Sequence, residues 1–339
     1  MALLQTTKIL YHQDASEFLS IVSPHIQQDK ASVNIVLAHA WRLSRTLSSS
    51  MQSQDDPRLE PAPRVAAENF WLTIWRSSDK ERILVAILSS VCGELGRYPI
   101  FLWSKPGSVS QRAGELESVA KGIVVELASR LPPIHVFSVF GGSSLVEAFA
   151  SAWSAQTGFK RAPSPYYHAT LATCSRQTLV GSSQEIPQTD IIRIAEEKDV
   201  GMVAMMCGEF AKLSVHFPLS ADRAALEAER LISHKQLYVY EHNKAIASIC
   251  AVTRETQSVV AITKVYTSPQ FRKNGYAERL VRYVTERMLA NEGKNIVVLY
   301  VGLKNSARRV YERIGFSPPI ESNAEVLEVG FVGTEKGHW

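Results

Sequence analysis

Cysteine is scarce in this chain, and metal-binding patterns are missing. The four cysteines among 339 residues lie far apart, at Cys92, Cys174, Cys207 and Cys250. None forms a C-x-x-C pair or has a histidine at metal-ligand spacing, so the sequence predicts neither a disulfide framework nor a zinc centre. We expect reduced, buried thiols and no bound metal.

Long apolar runs are also missing. No window reaches the roughly 18 uninterrupted apolar residues that a transmembrane helix requires. Residues 1–22 carry scattered charged and amide side chains instead of the apolar core of a secretory signal. We therefore expect a cytoplasmic protein without a membrane partner.

The excess of positive charge is small. Lys and Arg number 37 against 33 Asp and Glu, a net charge of +4, which is too low and too dispersed to attract nucleic acid by its field. A nucleic-acid module is the weakest alternative, because glutamates interrupt the basic residues of the C-terminal part and no nucleic-acid motif occurs. With 45% hydrophobic residues the chain can bury sizeable cores, and its length favours two domains.

Hydrophobic periodicity divides the chain into two halves of similar pattern. The first half has the order β-β-β-α-β-α-β and ends in a polar loop at residues 175–188. A second series of strands and helices follows. We predict a mixed α/β fold of two domains, residues 1–180 and 188–339, each a twisted sheet flanked by helices.

A weak internal repeat supports this division. In each half, a helix bearing an aromatic residue ends at a Gly-Phe pair, Gly158-Phe159 in the first and Gly315-Phe316 in the second.

The segment from residue 259 to residue 281 carries the clearest chemical signal. A β-branched run ends at Pro269, the basic turn Arg272-Lys-Asn-Gly275 follows, and apolar residues at helical spacing begin at Ala277. The first amides of a helix lack partners and lie at the positive end of its dipole, so a strand, a glycine turn and a helix together form an anion site. Gly275 lets the backbone approach the anion closely.

Two motifs resemble those of the GCN5-related N-acetyltransferase (GNAT) superfamily. R-x-x-G-x-A at residues 272–277 matches the family's pyrophosphate-binding pattern, and A-x-x-V-Y-x-x-x-G-F at residues 307–316 matches its second motif. The resemblance covers about residues 190–316. The first half is similar in topology only, because the stretch after its third predicted strand has no R-x-x-G-x-A signature. The chain thus resembles a tandem GNAT protein whose N-terminal copy is degenerate and has lost the pyrophosphate loop.

The resemblance implies a role for eleven residues in binding and using acetyl-CoA. Tyr311 matches the tyrosine proposed to protonate the departing thiolate. Asn305 matches a cofactor-binding asparagine when counted from Val301, although counting back from Tyr311 gives Lys304 instead. The strand backbone that would pair with pantetheine is at Val265, Tyr266 and Thr267. The turn that would hold the pyrophosphate comprises Arg272, Lys273, Asn274, Gly275, Tyr276 and Ala277.

One departure from the family pattern bears on mechanism. Many members carry a glutamate on the strand before the loop as general base, whereas residues 259–264 contain no carboxylate. An amine with a pKa near 10 is mostly protonated at neutral pH, so another group must take its proton. His216, Glu241, His242 and Glu255 are candidates, and none is favoured over the others.

Two functions therefore compete. The first is an acetyl-CoA-dependent N-acetyltransferase that transfers the acetyl group directly to an amine of a small molecule or peptide. The second is a regulatory protein that binds acyl-CoA without turnover, which the missing strand carboxylate favours. In either case we expect a monomer, because a tandem chain supplies within itself the interface that single GNAT domains obtain by dimerising.

Overall fold

The chain forms two compact units. The computed structural model describes residues 6–52, 69–77, 82–107, 114–181, 186–213, 216–319 and 324–338. Unit 1 contains Met1–Ala169 and Ile320–Trp339, and unit 2 contains Thr170–Pro319. The mixed α/β fold predicted from the sequence is confirmed.

Unit 1 holds most of the elements of the first half. In chain order these are β1 (Thr6–His12), α1 (Ala15–Val22), α2 (Lys30–Gln52), β2 (Phe70–Ser77), β3 (Arg82–Ser90), the short strands β4 (Cys92–Gly93) and β5 (Gly96–Arg97), β6 (Ile100–Ser104), α3 (Glu115–Ala128), β7 (Ser138–Gly142) and α4 (Ser143–Thr157). The next strand, β8 (Tyr167–Ser175), runs from unit 1 into unit 2.

Unit 2 repeats this order. Its elements are β9 (Asp190–Ile194), α5 (Val200–Ala211), α6 (Ala221–Ser233), β10 (Leu237–His242), β11 (Ala245–Thr253), β12 (Val259–Thr267), α7 (Tyr276–Ala290), β13 (Ile296–Gly302) and α8 (Arg308–Ile314). The last strand, β14 (Glu325–Gly330), lies in unit 1. The internal repeat thus extends back to β1, α1 and α2, for which the sequence analysis made no prediction.

The strand order is the same in the two units. It is β1-β2-β3-β6-β7-β14 in unit 1 and β9-β10-β11-β12-β13-β8 in unit 2. Neighbours within β1–β7 and within β9–β13 are antiparallel except for the central pairs β6–β7 and β12–β13, which are parallel. In both units the parallel pair is connected through one helix, α3 or α7.

The units differ from the predicted domains 1–180 and 188–339 in their final strands. Strand β14, from the second half of the chain, pairs antiparallel with β7 of unit 1. Residues 170–175 of β8, from the first half, belong to unit 2. Periodicity in the sequence identifies a strand, but the partner of that strand is a long-range choice that periodicity does not encode.

Helices cover both faces of the sheet in unit 2. One face of α7 packs with sheet residues in a core that includes Val260, Ile262, Leu280, Val281 and Val284. On the other face, α5 and α6 contribute a second core, which includes Val203, Met206, Cys207, Ala228 and Leu231. Both faces of the strands are therefore apolar.

All four cysteines are free, and Cys174, Cys207 and Cys250 are buried while Cys92 is partly exposed. Among the helices described, none has the length and apolar character needed to cross a membrane.

Candidate functional site

Strands β12 and β13 separate partway along their length. Their parallel pairing runs from Val259–Ile296 to Ile262–Leu299, where the described ladder ends. Strand β12 nevertheless continues to pair with β11 on its other edge, as far as Thr267 opposite Ser248. We call residues 263–267 the splayed segment. Its edge toward β13 offers backbone groups to an extended ligand, since such groups need partners.

A β-bulge lies where the separation begins. The register between β11 and β12 shifts so that Lys264 pairs with Ala251 and Ile262 with Val252. Thr263 is therefore the extra residue, and its hydroxyl accepts a hydrogen bond from Thr253 at 3.1 Å. Because a bulge bends its strand and increases the local twist, it explains why β12 leaves β13 at this point.

The splayed segment contains the three predicted strand residues, and their side chains are used for packing. Val265 packs against the core on the α7 side, together with Tyr311. Tyr266 is buried in the core on the α5 and α6 side. The hydroxyl groups of Thr267 and Ser248 are 3.0 Å apart. This arrangement leaves the backbone as the part of the segment that a ligand can contact.

The predicted pyrophosphate turn follows directly. Residues 272–275, which we call the glycine turn, are all exposed. Lys273 has φ = 67° and Gly275 has φ = 77°, so two left-handed residues alternate with others and the backbone forms a concave nest of the kind that binds anions. The Arg272 Nε donates to the carbonyl oxygen of Thr267 at 3.1 Å, and Asn274 Nδ2 donates to that of Phe271 at 3.2 Å. These bonds hold the turn against the end of β12.

Gly275 leaves open space above the helix N-terminus. It is the N-cap of α7 and provides no side-chain cap. A Cβ added there would meet only the Arg279 Cζ, at 4.0 Å. The residues present therefore fit a pyrophosphate, which needs exposed amides at a helix N-terminus and close approach of the backbone.

Tyr276 anchors the turn to the sheet. Its ring is buried and stacks on Tyr240 at 4.7 Å between centroids, with the His242 ring at 5.2 Å. Its side chain therefore faces the protein interior. Only its backbone is placed to face a ligand, and Ala277 behind it is half-buried.

A buried carboxylate supports this ring cluster from β9. Asp190 Oδ2 accepts a hydrogen bond from the Tyr240 hydroxyl at 2.5 Å, and Asp190 Oδ1 lies 2.6 Å from His242 Nδ1. Burial alone would raise the pKa of Asp190, but the hydrogen bonds from Tyr240, His242 and Thr189 outweigh it and lower that pKa. Burial and the bond to Asp190 raise the pKa of Tyr240 to about 12. Asp190 is thus a carboxylate and Tyr240 a neutral phenol at neutral pH.

The two other predicted residues, Asn305 before α8 and Tyr311 within it, have different surroundings. The half-buried ring of Tyr311 meets Phe316 edge-on at 6.1 Å. Asn305 is exposed, and its Oδ1 accepts a hydrogen bond from the Ala307 amide at 2.9 Å. The asparagine therefore caps the turn that leads into α8, a structural role that the sequence analysis did not predict.

The four candidate bases lie in different surroundings. Glu241 binds Arg193 at 2.9 Å, and His242 binds Asp190 in the ring cluster. Glu255 binds Lys294 at 2.7 Å, near the start of β12 and thus at the opposite end of that strand from the glycine turn. His216 is half-buried in the α5–α6 connection.

A carboxylate that the sequence analysis missed does reach the splayed segment. Glu227 of α6 lies 3.0 Å from the Lys264 Nζ, and both side chains are buried. Burial raises the pKa of the nearby Cys207 thiol to about 11, so this cysteine is protonated. The sequence signal was available, because Glu227 falls among Ala224, Ala228 and Leu231 on the apolar face of an amphipathic helix.

The equivalent turn of unit 1 is a second feature that was missed. Residues 111–116 read Q-R-A-G-E-L, which matches the pyrophosphate pattern [Q/R]-x-x-G-x-[G/A] up to its last position. Gly114 is the N-cap of α3 at φ = 100°, as Gly275 is for α7. Its amide donates to Glu117 Oε2 at 2.9 Å. Residues 108–113 lie outside the described part of the chain.

Comparisons with known proteins agree with this geometry. Residues 208–335 match the family model described as acetyltransferase (GNAT) domain. No curated protein matches the chain. A solved structure of a Drosophila protein is 11% identical with a TM-score of 0.64, covering 97% of this chain and 99% of its own.

A second solved structure carries a family name. It is described as a GCN5-related N-acetyltransferase from Sphaerobacter thermophilus, and it is 13% identical with a TM-score of 0.51, covering 96% of this chain and 94% of its own. At these identities the two structures show the fold, and they show it over nearly the whole chain. The domain match identifies residues 208–335 as similar to a GNAT acetyltransferase domain, and the two structures show that nearly the whole chain shares their fold.

Proposed function

We propose that this protein is an acetyl-CoA-dependent N-acetyltransferase whose single acyl-CoA site lies in unit 2. The observation that carries the proposal is the departure of β12 from β13 directly before the glycine turn. An extended pantetheine arm needs a free strand edge, and its pyrophosphate needs exposed helix amides one turn further on. The domain match over residues 208–335 supports acyl transfer as the general activity.

Each predicted residue has a place in this proposal. The backbone of Val265, Tyr266 and Thr267 pairs with the pantetheine arm. The amides of residues 272–277 bind the pyrophosphate, and the Arg272 and Lys273 side chains add positive charge. Asn305 contributes by shaping the turn before α8, since its side-chain oxygen caps that turn.

Tyr311 supplies a proton to the leaving group. The acceptor amine forms the new C–N bond with the acetyl carbon while the C–S bond of the thioester breaks. The Tyr311 hydroxyl gives its proton to the departing thiolate, and the amine loses one proton to solvent or to a protein carboxylate. The Tyr311 side chain packs against the same core as Val265. Both side chains therefore lie on the α7 side of the splayed segment, which supports this role.

Titration with acetyl-CoA tests the proposed site. The wild type should bind one acetyl-CoA per chain, and Gly275→Glu should weaken binding by at least about tenfold, because a carboxylate at the N-cap repels the pyrophosphate and occupies its amides. Gly275→Ala introduces similar backbone strain without the charge. Gly114→Glu makes the matched change at the equivalent glycine of unit 1, where a Cβ meets no neighbour within 4 Å, and should leave binding unchanged. An unaffected Gly275→Glu variant, or a wild type that does not bind, would contradict the proposal.

The second candidate is a regulatory protein that binds acyl-CoA without turnover. It is favoured by the absence of a carboxylate on residues 259–264 and by the ion pair that engages Glu227 with Lys264. The two candidates differ in thiol release. An acetyltransferase frees CoA thiol when supplied with an acceptor from a panel of small amines and peptides with free N-termini, whereas a binding protein frees none with any of them.

A further inference from the structure

The N-termini of α3 and α7 have the same residues at two key positions, but their glutamates make different hydrogen bonds. Each helix has a glycine N-cap with positive φ, Gly114 and Gly275, and each has a glutamate three residues later, Glu117 and Glu278. In a capping box, a carboxylate at that position turns back to the N-cap amide. The two helices therefore carry the same means of closing their own N-terminus.

In unit 1 the glutamate does close it. The Glu117 Oε2 accepts the hydrogen bond of the Gly114 amide at 2.9 Å. A negative charge thus sits at the positive end of the helix dipole, where it stabilises the helix and takes the place of an external anion.

In unit 2 the corresponding carboxylate is held elsewhere. Glu278 Oε2 accepts hydrogen bonds from Arg313 Nε at 2.9 Å and from Arg313 Nη2 at 2.6 Å. Glu278 Oε1 accepts one from Arg282 Nη2 at 3.1 Å. Both carboxylate oxygens are thus engaged by guanidinium groups, one by Arg313 of α8 and one by Arg282 of α7, so they face the two arginines rather than the Gly275 amide.

Arg282 is itself fixed by further bonds. Arg282 is buried, and it donates hydrogen bonds to the carbonyl oxygens of Val180 and Arg313. Burial alone would raise the pKa of Glu278, but the bonds from Arg313 and Arg282 lower it. The group is therefore a carboxylate at neutral pH, the form that competes for helix amides.

We propose that Arg313, with Arg282, is a positioning residue that keeps Glu278 away from the Gly275 amide and so leaves the glycine turn open to the pyrophosphate of acyl-CoA. This inference rests on the proposed function. Unit 1 has no such arrangement in the described part of the chain around Glu117, and its helix N-terminus is capped by its own carboxylate.

A double-mutant cycle on acetyl-CoA affinity tests the inference. Arg313→Ala should weaken binding about threefold to tenfold, the range expected when a charged group competes at a helix N-terminus. Arg313→Gln should do the same. Glu278→Gln alone should change binding little. Combining Arg313→Ala with Glu278→Gln should restore wild-type affinity, because the competing charge is then gone.

The rescue separates this role from the alternatives. If Arg313 acted by its own charge on the phosphates, or as a structural support only, the double variant would bind as weakly as Arg313→Ala, and the inference would be wrong. Arg309→Ala removes another exposed arginine from the same helix and should leave affinity unchanged; a loss equal to that of Arg313→Ala would also contradict it. A wild type that fails to bind acetyl-CoA overturns the proposed function itself, whereas normal wild-type binding without rescue overturns only this inference.

Discussion

The side chain of Tyr276 illustrates how a motif residue can serve a site without touching a ligand. Its position in R-x-x-G-x-A suggested contact with the pyrophosphate, yet its ring is buried against Tyr240 and His242. Stacked rings bury large apolar areas and have defined geometry, so they fix the direction in which α7 begins. The motif thus specifies both an open backbone at Gly275 and an anchor one residue later.

Tyr311→Phe tests the proposed acid. Removing the hydroxyl should lower kcat by about a hundredfold, the lower end of the range for general acid catalysis, and leave the affinity for acetyl-CoA unchanged. Steady-state thiol release and calorimetry measure the two quantities. Tyr283→Phe, on α7, is the matched control and should keep kcat. A Tyr311→Phe enzyme with wild-type kcat would remove this residue from the chemistry.

Asp190→Asn tests the carboxylate beneath the ring cluster. Its lowered pKa means that the folded state favours the ionised form, so it contributes stability above the unfolded pKa of about 3.9 and loses that contribution as pH falls through the lower folded value. At pH 7 the variant should lose about 1–3 kcal/mol of unfolding free energy.

The difference in unfolding free energy between the wild type and Asp190→Asn should shrink as the pH falls below about 4. Urea unfolding curves at pH 7, 5, 4 and 3 measure it. A difference that stays constant over this range would show that ionisation of Asp190 does not stabilise the fold.

At the scale of elements, the helix that follows the parallel strand pair ends at a Gly-Phe sequence in each unit, α4 in unit 1 and α8 in unit 2. The two glycines have different environments. Gly315 has φ = 109°, and a Cβ there would lie 2.0 Å from the carbonyl oxygen of Thr178. Gly158 has φ = 80°, and a Cβ there would meet no neighbour within 4 Å. The same motif thus serves as a helix C-cap in both places, and additionally as a close backbone contact in unit 2.

Gly315→Ala and Gly158→Ala separate these two roles. Both substitutions place alanine at positive φ, at a cost of about 1–2 kcal/mol. Gly315→Ala should cost clearly more, because backbone must move to accommodate the methyl group. Hydrogen exchange in increasing urea, read in each unit, measures the two losses, since a chain of two units need not unfold in a single step. Equal losses would contradict the close contact.

At the scale of the whole molecule, the sequence predicted the kind of fold better than its connections. The order of strands and helices in the first half, the helix after the glycine turn and the repeated halves follow from local periodicity and turn residues. The exchange of β8 and β14 between units does not, because strand pairing is decided by contacts far apart in the chain.

The same limit explains which parts of the candidate site could be predicted, because contacts between residues far apart in the chain do not follow from local sequence. Residues 272–277 form a contiguous motif, so their resemblance to the family's pyrophosphate pattern can be recognised in the sequence. Glu227 reaches Lys264 only through tertiary packing that brings α6 near β12, two elements far apart in the sequence. Glu278 is held by Arg313, which is distant from it in sequence and adjacent in space, so the sequence alone does not show that it differs from Glu117.

Hydrogen–deuterium exchange with and without acetyl-CoA tests the central claim most directly, because it reports on both units of one chain at once. We predict slower exchange in peptides that cover the splayed segment and residues 272–277, since their amides gain a ligand as partner. Peptides covering β6 and the start of α3 should exchange at the same rate in both conditions. Protection in unit 1, or none in unit 2, would contradict a single acyl-CoA site in the C-terminal repeat.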